Sequence, residues 1–185
     1  MRVAITRPME RSEETVRLVR ERGWEAMIVP TVEIVPRDEG EVRAAVGDLR
    51  SYDWLVVTSS SGAEILYRCF GAKLKGIKVA AIGPKTREAL EARGLRVELL
   101  PDEYKAENLA GRLREEGIKG KRILVARAAI GREVLVDELR KEAQVVEVSL
   151  YDTGMPRDKR PMEAAVAALR KGEIDAFIFT SSQSA

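Results

Sequence analysis

The chain is written twice at a spacing of 120 residues, and the second writing stops short of the first. Pro36-Arg37-Asp38 returns as Pro156-Arg157-Asp158, and Ala44-Ala45-Val46 with Leu49-Arg50 returns as Ala164-Ala165-Val166 with Leu169-Arg170. After a two-residue insertion, Asp53 through Thr58-Ser59-Ser60 matches Asp175 through Thr180-Ser181-Ser182. More faintly, Arg2 through Arg7 is echoed by Arg122 through Arg127. A period this long exceeds that of solenoid repeats and implies two similar domains. A length of 185 residues accommodates two small domains. Ala185 matches Ala63, so the second copy has no counterpart of Glu64 through Ile118. The expectation is that these residues are part of a longer chain, since a half-built parallel sheet leaves an apolar edge exposed.

Short apolar runs alternate with amphipathic stretches. The strand-like runs are Val3–Thr6, Ala26–Val35, Trp54–Thr58, Val79–Ile82, Val97–Leu100, Ile123–Ala126, Val145–Leu150 and Ala176–Thr180. Val42, Ala45, Val46 and Leu49 have the spacing of one helix face, and Met162, Ala165, Val166 and Leu169 repeat it. Gly23, Gly94 and Gly117 stand where helices should stop. Continuous apolar strands between helices predict α/β structure with parallel sheets covered on both faces. Thr31–Gly40 and Tyr151–Pro161 break this rhythm, each placing a proline between a strand and a helix. Both read as extended linkers. The predicted domains are a discontinuous one, residues 1–34 plus 155–185 and incomplete at its C-terminus, and a continuous one, residues 37–152, with linkers at 35–36 and 153–154.

Composition narrows the chemistry. The 32 basic and 30 acidic residues are closely mixed and leave a net charge of +2, which gives no nucleic-acid footprint. No stretch has the length of a membrane span, and the first residues do not read as a signal peptide. The single cysteine, Cys69, fits a reducing, cytoplasmic setting. Histidine is absent, which removes the usual general base and the Ser-His and Cys-His nucleophile pairs. A high content of Arg, Glu and Lys is compatible with a thermophile.

In open parallel sheets, ligands bind beyond the carboxyl ends of strands, near helix starts. Here those ends read Thr6-Arg7-Pro8, Thr58-Ser59-Ser60-Ser61, Gly83-Pro84-Lys85-Thr86, Arg127 and Thr180-Ser181-Ser182. Hydroxyls and free amides at a helix start bind anions. Each of these Ser and Thr residues also reads as a plain N-cap. Three consecutive hydroxyls used twice exceed what one cap requires. Arg7 and Arg127 sit at equivalent strand ends, where an arginine clamps a carboxylate or pairs with a neighbouring Glu. Tyr151 opens the second linker, where its phenol serves as a general acid or packs a hinge. Neither GxxxxGK[ST] nor GxGxxG after a strand occurs, which argues against nucleotide enzymes of those kinds.

Taken in order, these segments resemble the uroporphyrinogen-III synthase family. The resemblance covers the whole chain and rests on Thr6-Arg7-Pro8, DWLVVTSSSGAEIL (53–66), VAAIGPKTREALEARGL (79–95), ILVARAAIGREVLVDELRKEA (123–143), VSLYDT (148–153) and DAFIFTSSQSA (175–185). It implies two flavodoxin-like (HemD-like) domains joined by two linkers, with the substrate between them. It implies a lyase that cyclises hydroxymethylbilane to uroporphyrinogen III, inverting ring D and losing water, in tetrapyrrole and heme biosynthesis. It also implies a cytoplasmic monomer with no metal or organic cofactor and no nucleic-acid or membrane partner. The family's tyrosine falls on Tyr151, expected to help expel the hydroxyl. Its hydroxyl loop falls on Thr58, Ser59 and Ser61, with the second copy at Thr180, Ser181 and Ser182, and its turn threonine on Thr86. With Arg7 and Arg127, these are the expected substrate contacts.

The family's chemistry asks little of side chains. Loss of hydroxyl gives an azafulvene cation stabilised by the pyrrole, attack on ring D gives a spiro intermediate, and this fragments and recloses inverted. Unaided, the substrate closes to the non-inverted isomer, so the enzyme's task is to hold one geometry. The alternatives are a two-domain anion-binding protein without catalysis, a nucleotide-sugar transferase and a non-catalytic family member. The first predicts a signal peptide or a DNA-binding helix pair. The second predicts a glycine-rich loop. Neither signal is found.

Overall fold

The computed structural model describes residues 1–131 and 133–179. These divide into two compact units, one drawn from 1–35 and 153–179, the other from 36–152. The unit boundaries fall within two strands, β3 (Glu33–Pro36) and β7 (Gln144–Gly154).

The first unit is built on a three-stranded parallel sheet with the order β2-β1-β8, formed by β1 (Arg2–Ile5), β2 (Glu25–Ile28) and β8 (Ala176–Ile178). Helix α1 (Glu13–Glu21) packs Val16 and Val19 against one face, with Val3 and Ile5. On the other face, Ala165 and Ala168 of α7 (Arg160–Arg170) meet Ala4 and Val29. Alternation along β1 therefore feeds two cores, as period-two side-chain geometry requires.

The second unit contributes β4 (Trp54–Val57), β5 (Lys78–Ala81) and β6 (Arg122–Ala128) to a five-stranded sheet of order β3-β7-β6-β4-β5. β4, β5, β6 and β7 pair in parallel. Helices α2 (Glu39–Val46), α3 (Ser60–Phe70), α4 (Pro84–Glu91), α5 (Ala106–Glu115) and α6 (Val134–Arg140) surround them. Trp54, Val56, Ile123 and Val125 join Leu109, Leu113, Leu135 and Leu139 in one core cluster. Leu55, Val57, Leu124 and Ala126, on the opposite face, are also fully buried. Burial on both faces is why these strands read as unbroken apolar runs.

The repeat is a repeat of structure. β1, β2 and β8 correspond to β6, β7 and β4, and the strand order is the same. Register matches too: Val3 faces Ala176 as Ile123 faces Trp54. Each pair is latched by an aspartate. Asp53 accepts from the Arg122 amide at 2.9 Å while its own amide donates to the Arg122 carbonyl at 2.8 Å. Asp175 does the same with Arg2, at 2.6 and 2.9 Å.

Four sequence expectations are corrected. The run Ala26–Val35 is two strands, because Pro30 has no amide to donate and the chain leaves the ladder around it. Val97–Leu100 contributes only an isolated bridge from Leu99 to Ala80. Its Glu98 and Leu99 amides both turn to the Val79 carbonyl, and Pro101 ends any continuation. The helix predicted through Leu49 stops at Val46, where Gly47 takes φ +67. Ala45 is exposed, and Leu49 is buried from a separate short 3-10 turn. In α7 the buried face is Ala165 and Ala168, leaving Val166 and Leu169 in solvent.

Candidate functional site

The second unit carries a cavity of about 570 Å3 at the carboxyl ends of β4 and β6. This is where a parallel sheet leaves open space between loops and helix starts. Thr58 and Ser59 line it from the end of β4, Arg127 and Ala128 from the end of β6, and Tyr151 from β7. Ile82, which follows β5, closes part of the wall.

Tyr151 reaches the cavity because of an irregularity in its strand. β6 and β7 run in register from Arg122 with Gln144 to Arg127 with Ser149, and then Ala128 faces Tyr151. Leu150 is the extra residue of this bulge, a device that re-aims the side chains beyond it. β7 runs on to Gly154, so Tyr151 lies inside the strand and not at its end, as the sequence had suggested. The ring is buried, and its hydroxyl donates to Ser59 Oγ at 2.9 Å.

Ser59 is the N-cap residue of α3, with extended backbone angles, and its Oγ accepts the Gly62 amide at 2.9 Å. Gly62 is there for space: a Cβ on it would lie 2.9 Å from Ser59 Oγ and 3.4 Å from Leu150 Cδ1. Thr58 is half-buried, with its amide donating to the Ala126 carbonyl.

Arg127 is buried and already paired. It donates to Glu147 Oε2 at 3.0 Å and Glu133 Oε1 at 3.1 Å. Of the two roles open to this residue in the sequence, these contacts are those of the ion pair. The cavity wall it forms is charge-compensated by the chain's own carboxylates.

Other expected contacts are distributed differently. Ser61 and Thr86 are buried in the first turns of α3 and α4, and neither is on the cavity wall. Arg7 belongs to the first unit, where its guanidinium donates to Thr15 Oγ1 at 3.2 Å. Thr180, Ser181 and Ser182 lie outside the described residues. Among the described residues, no group of three or more Cys, Asp or Glu is placed to hold a metal ion. No helix among them is long and apolar enough to cross a membrane.

The cavity also has a wall that the sequence reading missed. Tyr104, Lys105 and Asn108 line it from the loop before α5 and from that helix's first turn. Tyr104 packs its Cβ and Cγ beside Gly83, and Lys105 pairs with Glu103 at 2.7 Å. Lys105 is the N-cap of α5 and makes no side-chain cap bond, so the helix opens on the cavity with its first amides free of that cap. The segment follows the Val97–Leu100 run, so the strand-end rule applied there would have found it. It carries no run of hydroxyls to draw attention.

Comparison with known proteins gives a consistent result. The family model described as uroporphyrinogen-III synthase HemD matches residues 13–185. The chain is 34% identical over 184 residues to a putative uroporphyrinogen-III synthase of Methanothermobacter thermautotrophicus, covering 97% of this chain and 73% of that one. It is 29% identical over 192 residues to the uroporphyrinogen-III synthase of Synechococcus elongatus, covering 98% and 70%. In fold it is similar to a crystal structure of a mutant uroporphyrinogen III synthase from the extremely thermophilic bacterium Thermus thermophilus. That likeness has a TM-score of 0.70 at 21% identity and covers 100% of this chain and 74% of that one.

Proposed function

The chain belongs to the uroporphyrinogen-III synthase family, and from that premise we propose that it closes hydroxymethylbilane on the cavity face of its second unit, with Tyr151 as the acid. The activity is that of a lyase of tetrapyrrole biosynthesis: a linear tetrapyrrole loses water and closes with ring D inverted. The observation that carries the site assignment is the hydroxyl of the buried Tyr151, aimed by a bulge onto the capping serine of α3 in a cavity at strand ends.

The chemistry follows from that arrangement. As the C–O bond of the hydroxymethyl group breaks, the Tyr151 proton goes to the departing oxygen and water leaves. The electron pair of the pyrrole nitrogen fills the vacancy, giving the azafulvene cation. General acid assistance of this kind contributes about 10²–10⁴ in rate. The ring-D attack that follows needs a held conformation more than a further catalyst. The carboxylate arms sit against the Thr58 hydroxyl and the first amides of α5, which have no side-chain cap; both suit anions without adding charge. Arg127 shapes the wall through its own ion pairs, and Arg7 is kept as a carboxylate contact of the first unit.

The test is the identity of the product. Hydroxymethylbilane supplied to the protein should yield the type III isomer, read by chromatography of the oxidised porphyrins. Only type I, at the uncatalysed rate, would overturn the reading. A non-catalytic anion-binding protein has no use for the Tyr151 hydroxyl, so Tyr151→Phe separates the two: it should stay folded and lose most of its rate.

A further inference from the structure

We propose that Ser59 is a positioning residue for Tyr151, accepting its hydrogen bond at rest and donating one back when the phenol has given up its proton. The inference rests on the reading of Tyr151 as the acid. It departs from the simpler expectation that Ser59 touches substrate.

The serine oxygen is fully occupied as an acceptor. Ser59 Oγ accepts from the Gly62 amide and from the Tyr151 hydroxyl, both at 2.9 Å. Those two bonds use both of its acceptor positions. Its own proton has no acceptor among the described residues. An N-cap needs only the first bond. The second comes from a buried residue 92 positions away, brought there by the bulge at Leu150. Gly62 keeps the space open, since a Cβ would press on the serine oxygen. Both heavy atoms are therefore fixed, one by a helix start and the other by a strand.

Only the proton has to move. When the Tyr151 proton passes to the departing hydroxyl and water leaves, the phenolate becomes an acceptor with no proton to give. Rotation about the Ser59 Cβ–Oγ bond then points the serine proton at it, while the Gly62 amide stays on Oγ. A hydrogen bond to a charged oxygen is roughly twice as strong as a neutral one. The stabilisation grows as the barrier is crossed, which is the condition for it to speed the reaction. The phenolate recovers a proton when the macrocycle, on closing, sheds one.

The experiment is a double-mutant cycle on the full chain with hydroxymethylbilane, reading kcat and KM for type III formation. Ser59→Ala should lower kcat about 10-fold with KM within about twofold, and Ser59→Thr, which keeps a hydroxyl, should restore it. In the Tyr151→Phe background, Ser59→Ala should have no further effect. Ser59→Asp keeps a capping oxygen but cannot donate, so it should fold and be at least as slow as the alanine variant. Multiplicative losses, a rise in KM alone, or a fully active Ser59→Asp would each overturn the assignment. A slow Tyr151→Phe beside a normal Ser59→Ala defeats this inference only. A Tyr151→Phe variant with unchanged kcat defeats the reading beneath it as well.

Discussion

Replacing Gly62 by alanine should destabilise the second unit, although the substitution ordinarily strengthens a helix. Gly62 sits in the first turn of α3, and its φ is not in the left-handed region. Backbone propensity alone therefore favours alanine by up to about 1 kcal/mol. Against this stands the space. The new Cβ would lie 2.9 Å from Ser59 Oγ, 3.4 Å from Leu150 Cδ1 and 3.8 Å from Val57 Cγ1. The first distance is too short to persist, and the serine hydroxyl is the group that can turn away. Turning breaks the cap bond, worth about 1 kcal/mol, and the bond from Tyr151, worth about 1 kcal/mol net. The balance is a loss of about 1 kcal/mol. With a urea slope of about 1–3 kcal/mol/M, the midpoint should fall by roughly 0.3–1 M. The same variant should be slow in the type III assay, because the serine no longer meets the phenol. A midpoint that stays or rises, with activity intact, would refute the argument, since it would mean the space around Ser59 is slack.

Three further outcomes follow from other contacts. Asp53, held below its ordinary value of 3.8 by the Arg122 amide and then by Lys121, lends stability that is present above pH 3.8 and lost as pH falls through its lowered folded value. Asp53→Asn should therefore flatten the acid limb of stability against pH, measured by circular dichroism; an unchanged limb would mean the latch carries no proton linkage. Arg127→Met should cost about 1–2 kcal/mol of stability, read as a lower urea midpoint, because Glu147 and Glu133 both reach solvent and lose only a partner. A KM rise of tenfold or more in that variant would return Arg127 to the role of substrate clamp. Replacing Phe177 and Phe179, which stack at 5.9 Å on an open face, by serine should reduce light scattering and dye binding by this 185-residue chain; no change would show that face to be covered in solution.

The parallel α/β architecture was legible because the physics that makes it leaves marks in sequence. Strands buried on both faces must be apolar throughout, and Trp54–Val57 and Ile123–Ala126 are. Helices end where the backbone needs φ above zero, and Gly23, Gly94 and Gly117 have φ of +71, +74 and +74. The hydroxyl run after β4 pointed to the cavity, as did the tyrosine. What could not be read was register. A one-residue bulge decides where Tyr151 points, and no residue type announces a bulge at Leu150. Nor could the sequence separate the two fates of Arg127, since its partners Glu147 and Glu133 lie 20 and 6 positions away in a chain rich in both charges. Ser61 and Thr86 share the composition of site residues but are buried in the first turns of α3 and α4, off the cavity wall.

The two copies show why pattern and burial are separate facts. Leu55 and Val57 on β4 are 0% exposed, yet their counterparts Phe177 and Phe179 are 38% and 50% exposed. Val46 and Leu49 are buried, whereas their counterparts Val166 and Leu169 are not. The residues are equally apolar in both copies; the neighbours differ. In the second unit α3 contacts α2, β4 and β6, and β5 lies along the outer edge of β4. Among the described residues nothing repeats α3 or β5 beside β8. A hydrophobic position records that something should cover it, and only the fold shows whether something does. The same asymmetry governs the site. The hydroxyl loop on β4 is set by three constraints together: the α3 cap, the Gly62 gap and the Tyr151 bulge. Its echo at Thr180 to Ser182 shares the letters, but two of those constraints have no repeat in the sequence, since Gly62 falls against Ser184 and Tyr151 against Thr31. The catalytic reading therefore rests on the second unit's loop, where the three constraints meet.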